Sequence, residues 1–208
     1  MRHGRLLIGT GLAVLGAVAL TQLLLPRYVE RRTEERLTEG GGAAEVAVDA
    51  FPALRLLRSH GDRIQVRSER LTIELGGDRD RVLERLDGFD EVDVEVRALR
   101  AGPFTGETFS LTRSEGSETY ELRLSATVTA RGLSEYVAAT LGGGLGTLLM
   151  GLSGQLLAPD GAPIPIRLDA ELASRGGRAE LVSGGGTVAG VPAGPLAEAL
   201  AGAVASRL

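Results

Sequence analysis

The side chains that most often do chemistry are scarce in this chain. It has two histidines, His3 and His60, and no cysteine. His3 lies at an apolar N-terminus, which leaves one imidazole for the remainder. That is too few for a histidine-based triad or a histidine-rich metal cluster. His60 precedes Gly61 and reads as a solvated turn residue. The lack of cysteine removes disulfide frameworks and thiolate metal sites. Carboxylates are plentiful, but they alternate with arginine along what read as wet strand faces, and no pair stands out as a general acid and base. The glycine run Gly142 to Gly146 lacks the lysine of a phosphate-binding loop, and all 23 basic residues of the chain are arginine. The run therefore reads as a helix break. No catalytic residue, metal or cofactor is expected.

Composition closes another route. The formal net charge is −4 and aromatics make only 3% of the residues. No arginine-rich stretch is interleaved with aromatic side chains, so nucleic acid is not an expected partner.

What the sequence offers instead is apolar surface. Hydrophobic residues make 43% of 208, enough for one domain with a sizeable core built from Leu, Val and Ala. Two stretches are apolar beyond what one sheet face needs. Leu133, Val137, Leu141, Leu145, Leu148, Leu149, Leu152 and Leu156 follow helical spacing, with Gly142-Gly143-Gly144 breaking the run into two helices. Pro195 opens a final helix with the stripe Leu196, Leu200, Val204 and Leu208. Helices apolar nearly all round are usually buried. They can fill a core or line a cavity. The cavity is the sharper expectation, because each methylene withdrawn from water is worth about 0.8 kcal/mol and a lipid outside a bilayer needs a long dry groove.

Strands position these helices. Val46, Val48 and Ala50 alternate, and Phe51-Pro52 breaks that run, either as a functional insertion point or, the plainer expectation, as a strand terminus with Phe51 turned into the core. Ile64, Val66 and Ser68 share one parity, while Leu71, Ile73 and Leu75 share the other. A parity slip within one long strand predicts a β-bulge near Glu69-Arg70. Asp78 caps a short helix holding Val82, Leu83 and Leu86. Val92, Val94 and Val96 alternate again. Thr105 to Arg113 and Thr119 to Ala130 form a hairpin around Glu115-Gly116-Ser117. Ile166 to Leu172 and Arg178 to Val182 are two more strands. Tyr120, Leu122, Leu124, Ala126 and Val128 face one way, and Glu121, Arg123, Ser125 and Thr127 the other, as in an antiparallel sheet with one wet side.

The N-terminus reads as a membrane segment. Arg2 and Arg5 precede the uncharged run Leu6 to Leu25, and twenty residues at helical rise make about 30 Å, a bilayer's hydrocarbon thickness. Ala17-Val18-Ala19 offers a signal-peptidase site. The division expected is therefore 1–25 as signal peptide or anchor and 26–208 as one domain. The domain opens with a charged helix from Pro26 to Glu39, its stripe formed by Tyr28, Val29 and Leu37 and its Glu30 and Glu34 paired with neighbouring arginines. The positive-inside count sets Arg2 and Arg5 against Arg27, Arg31 and Arg32 and leans against export.

Val46-x-Val48-x-x-Phe51-Pro52-x-Leu54, followed by Gly61-Asp62-Arg63-Ile64-x-Val66, resembles the actinobacterial LmeA-like (lipomannan elongation factor A) phospholipid-binding family. Phe51 to Val66 is the most specific part, and the rest matches by the order of elements. Gly76 to Arg100 departs from the pattern. The resemblance implies export and an α+β fold similar to tubular (BPI-like) lipid-binding proteins, in which a long twisted antiparallel sheet wraps apolar helices. It implies a cell-envelope protein at the outer face of the cytoplasmic membrane or in the periplasmic space, with phospholipid and that membrane as partners. The lining expected is Leu133, Tyr136, Val137, Leu141, Leu145, Leu148 and Leu152, with Leu196, Leu200 and Val204. Arg63 and Arg67 are head-group candidates. The rival expectation is a membrane-anchored envelope scaffold that binds a protein and holds no lipid.

Overall fold

A computed structural model gives the architecture. It describes residues 2–38 (with side chains from Leu20 onward), 42–73, 83–132 and 163–184, the backbone of 187–188 and 191–192, and residues 198, 201, 204 and 205. The Leu133–Leu157 lining candidates lie outside the described residues, as do Leu196 and Leu200. So does Asp78 with its expected cap.

The fold is α+β. Helix α1 (Arg2–Thr38) leads into strands β1 (Ala43–Asp49), β2 (Gly61–Glu69) and β3 (Thr72–Ile73), with a 3-10 helix (Ala53–Arg58) between the first two. A short helix α2 (Glu84–Asp87) follows, then β4 (Phe89–Ala101), β5 (Phe104–Arg113), β6 (Thr119–Val128), β7 (Ile164–Arg175) and β8 (Arg178–Gly184). These eight strands form one sheet in the order β1-β2-β4-β5-β6-β7-β8, with β3 also on β4. Strands β9 (Thr187–Val188) and β10 (Val191–Pro192) form a separate small pair.

The sheet is mostly antiparallel, and the hairpin arms β5 and β6 pair as the sequence predicts. The exception is that β2 and β3 run parallel to β4. Helix α2 lies in the connection that such a parallel pair requires.

One face of the sheet is buried from β1 to β7. Val46, Val66, Val94, Leu111, Leu122 and Ala170 form one continuous cross-strand row of that face. Phe109, Tyr120 and Leu172 are fully enclosed, as are Ala201 and Val204 from the C-terminal stretch, which is helical at both positions. The opposite face carries the ladder Glu45-Arg67-Glu95-Ser110-Arg123-Asp169. Alternating charge there favours the native register, since a one-residue slip would put these groups in the core.

The expected parity slip at Glu69-Arg70 is present as a bend between two strands, not as a bulge inside one, and it is not alone. Arg70, between β2 and β3, has φ 60°, and Ala98, its neighbour in β4, has φ 54°. The pairings Glu69↔Arg97 and Thr72↔Arg100 on either side show that both strands slip in step and keep their register. In β5 the register shifts against β6 between Gly106 and Thr108. Inward parity therefore changes along a crease across three neighbouring chain paths, while β6 keeps strict alternation.

The sequence expectation for the N-terminal helix needs three corrections. Pro26 lies inside one continuous helix and does not open a second one. It removes one intrahelical bond, a local loss that the packing of Leu25 and Val29 on the core offsets. Tyr28 is not on the packing stripe: it is exposed, and the inward side is formed by Leu25, Val29, Thr33 and Leu37 at four-residue spacing. Glu30 and Glu34 do not pair with arginine. Glu34 accepts the Val46 N–H at 3.2 Å and Glu30 the Val48 N–H at 3.0 Å. Two residues along a strand span nearly the same length as one helical turn, so carboxylates four apart can meet alternate amides. These side chains occupy the free edge of β1. On the far edge, Glu198 accepts the Leu181 N–H of β8 at 2.9 Å.

Charge-assisted bonds to backbone amides are worth roughly 1.5–3 kcal/mol each when well sheltered, and these are half-buried. Glu30→Ala combined with Glu34→Ala should therefore lower unfolding stability by about 2 kcal/mol in urea titration. The paired glutamine variant, which keeps both acceptors, should lose clearly less. Equal losses would mean that the carboxylates are not edge partners.

A fourth correction concerns Phe51. It is 77% exposed, while Ala50, Ala53 and Leu56 around it are buried. The Phe51–Pro52 peptide is cis. The Phe51 N–H donates to Asp62 Oδ2 at 2.7 Å, and Arg55 pairs with the same carboxylate. This closed corner spends its inward positions on small residues and Leu56, which leaves the phenyl ring outside.

Candidate functional site

Where α1, the 3-10 helix, β2, α2 and the start of β4 meet, they leave a groove of about 310 Å³. Its floor is apolar: Val29 from α1, Leu56 from the 3-10 helix, Ile64 from β2, Leu86 from α2 and Phe89 from β4. Arg32 and Arg36 from α1 and Arg85 from α2 also line it, with Tyr28, Thr33 and Ser59. Arg32 and Arg36 are four apart and so share one helix face. Arg32 donates to the Tyr28 hydroxyl at 3.3 Å. Among the described residues, none of the three arginines takes part in an ion pair. An apolar floor beside three unneutralised guanidinium groups suits a molecule with a hydrocarbon part and an anionic head.

A polar cluster around the buried Tyr120 holds α2 in position. Arg113 donates to Tyr120 Oη at 2.8 Å and lies 4.7 Å from the centroid of its ring. It also donates to the carbonyls of Leu86 at 3.1 Å and Asp87 at 3.3 Å, and to that of Phe89. Tyr120 Oη donates to Asp87 Oδ1 at 2.8 Å, and Ser174 Oγ donates to Asp87 Oδ2. A guanidinium on the last carbonyls of a helix satisfies groups that have no internal partner. Arg113 thus fixes the turn that carries Arg85 and Leu86 into the groove. Burial pushes the Tyr120 phenol far above its ordinary range; the Arg113 charge opposes this and the hydrogen bond to Asp87 adds to it.

That shift has a direction in pH. Folded Tyr120 keeps its proton where unfolded tyrosine loses it, so its contribution is intact below about pH 10 and falls as pH rises further. Denaturation midpoints should drop from pH 9 toward pH 11 (about one unit either side of a free tyrosine) more steeply in the wild type than in Tyr120→Phe. Parallel curves would contradict this role.

The head-group candidates from the sequence lie elsewhere. Arg63 is 3.4 Å from Glu91 and Arg67 is 4.0 Å from Glu95, both on the open face of the sheet. Val204 is fully enclosed. The structure thus brings neither arginine to the groove. The groove arginines were legible only as charges on the expected helix and beside the Leu83/Leu86 turn. Their meeting depends on the parallel crossover. His60 is exposed, with Nδ1 2.6 Å from the Arg58 carbonyl.

Among the described residues no group of three or more His, Asp or Glu side chains is placed to hold a metal ion. Among them, too, no helix is long and apolar enough to cross a membrane, and most of the Leu6–Leu25 run precedes Leu20, where the described side chains begin. No protein-family profile, no curated protein and no solved structure matches the chain.

Proposed function

We propose that this chain is an exported cell-envelope protein of the LmeA-like kind that binds a phospholipid at the outer face of the cytoplasmic membrane. The observation that carries this reading is the groove, with its apolar floor and the guanidinium groups of Arg32, Arg36 and Arg85. A phospholipid has the complementary parts, an acyl chain for the floor and a phosphate for the arginines. The volume is at the lower end of small-molecule sites, so the groove would take a head group and the first part of a chain. The rest of the lipid would extend beyond the groove over the sheet, in the manner of tubular lipid-binding folds. The apolar face that runs from β1 to β7 supports this.

The test is to purify the full chain, extract it with organic solvent and identify the lipids by mass spectrometry. Wild type should release phospholipid in a fixed ratio to protein. Each guanidinium that meets the phosphate should contribute roughly tenfold in affinity. Arg32→Ala combined with Arg85→Ala should therefore retain little lipid while keeping the wild-type unfolding midpoint. Retention equal to wild type would remove the groove from the site. No lipid from either protein would leave the scaffold reading.

A further inference from the structure

The 3-10 helix Ala53–Arg58 turns large apolar side chains to solvent. Phe51, Leu54 and Leu57 are 77%, 56% and 69% exposed. Isolated exposed leucines are ordinary, but three large apolar residues within seven positions at one corner are not. The corner is also held at a definite level on α1. Gln22 donates to the Ala50 carbonyl at 2.7 Å and accepts the Ala53 N–H at 2.8 Å, so one side chain clamps both sides of Phe51-Pro52. At that same level α1 shows Leu20, Leu23 and Leu24 to solvent. The helix there continues into the uncharged run that starts at Leu6. Arg27 and Arg31, one and two turns further along, are exposed, as is Arg58 at the end of the 3-10 helix.

We infer that this corner is a membrane-docking tip: Phe51, Leu54 and Leu57 enter the apolar edge of an anionic phospholipid bilayer beside the N-terminal helix. Three things commit it to a lipid surface. The apolar groups stand where the chain passes into its most hydrophobic segment. Arginines stand immediately behind them, at the depth where side chains with long apolar stems reach anionic head groups. The backbone of the corner is closed by Gln22 and by Asp62, so the tip presents hydrocarbon with its nearby amides already engaged. The inference uses the membrane-segment reading of Leu6–Leu25, but it does not need a lipid in the groove.

The chain has no cysteine, so one introduced thiol is a unique label site. Full-length Leu54→Cys, Leu57→Cys and, as a reference on the β5–β6 turn, Ser117→Cys would each carry an environment-sensitive fluorophore. Each would be reconstituted into vesicles of phosphatidylcholine and phosphatidylglycerol, with and without a quencher fixed on the acyl chains. The labels at 54 and 57 should shift to the blue and lose most of their intensity to the quencher, while the label at 117 does neither. Adding Phe51→Asp to the Leu54→Cys chain should reverse both effects without changing the unfolding midpoint, because the ring packs outside the core. A chain that does not float with the vesicles would overturn both the membrane-segment reading and the tip. A chain that floats with position 54 as wet as position 117 would overturn the tip alone. A blue shift without quenching would mean that a second copy covers the corner, and the tip would again be overturned.

Discussion

Gly88→Ala should cost the fold about 3 kcal/mol or more, the upper end of what overpacking does in a closed site. The backbone at this position is ordinary, with φ −72°. The obstacle is space: a β-carbon there would lie inside the van der Waals envelope of the Ser59 carbonyl oxygen. That contact is backbone against backbone, so no side chain can swing away. The Gly61 N–H also donates to the Gly88 carbonyl at 3.0 Å, which ties the two corners together. Relief requires separating the 3-10 helix from α2, and these are two walls of the groove. Gly116→Ala is the natural control. Nothing lies within 4 Å of its would-be β-carbon, but its φ is 77°. That change should cost roughly 1–2 kcal/mol through backbone strain alone and leave lipid retention unaltered. Equal midpoints for the two variants in urea would show that the close approach at Gly88 is not what it appears from the backbone.

Arg113→Met should cost about 3 kcal/mol, as expected when a nearly enclosed guanidinium leaves several acceptors without a partner. Methionine retains much of the apolar stem, so little of the loss is cavity. What is lost is a guanidinium serving three carbonyls and the Tyr120 hydroxyl, with Asp87 at 3.5 Å left without its opposite charge. Its side chain is only 10% exposed, so water cannot readily replace those bonds. Tyr120→Phe removes one hydroxyl and should cost less, about 1–2 kcal/mol. Because α2 loses its fastening, the Arg113 variant should also retain less lipid, although Arg113 does not line the groove. A stable Arg113→Met with full retention would show that α2 is held by Leu83 and Leu86 in the core.

The strands were the most legible part of this chain, and the reason is the wet face. Val92 to Val96 and Tyr120 to Val128 alternate with charge, and a period of two has one structural meaning. Even the Glu69-Arg70 slip could be read, because Val66 and Leu71 cannot both be inward without an extra residue. The matching slip at Ala98 was not legible. Its signal is spread over Val96 and Leu99, and it gains meaning only once β2 and β4 are known to be neighbours. Phe51 was misread for a related reason. A phenyl ring at the end of an apolar strand belongs inside by composition, and only the corner held by Gln22 and Asp62 turns it out. The groove was not legible at all, since its arginines come from two helices far apart in the chain that meet through one parallel crossover. The helix at Pro26 shows the limit of local rules: a proline ends helices on average, but here α1 has a sheet edge to lie along.

That edge has a consequence for how this protein meets others. Many proteins recruit a partner by letting its extended segment join an exposed strand, and misfolded chains propagate in the same way. A segment arriving at β1 would have to displace Glu30 and Glu34, and one arriving at β8 would meet Glu198 at Leu181. Both flanks of the sheet thus carry carboxylates that already hold edge amides an arriving strand would need. An open sheet with its edge amides engaged in this way is a poor template for an arriving strand.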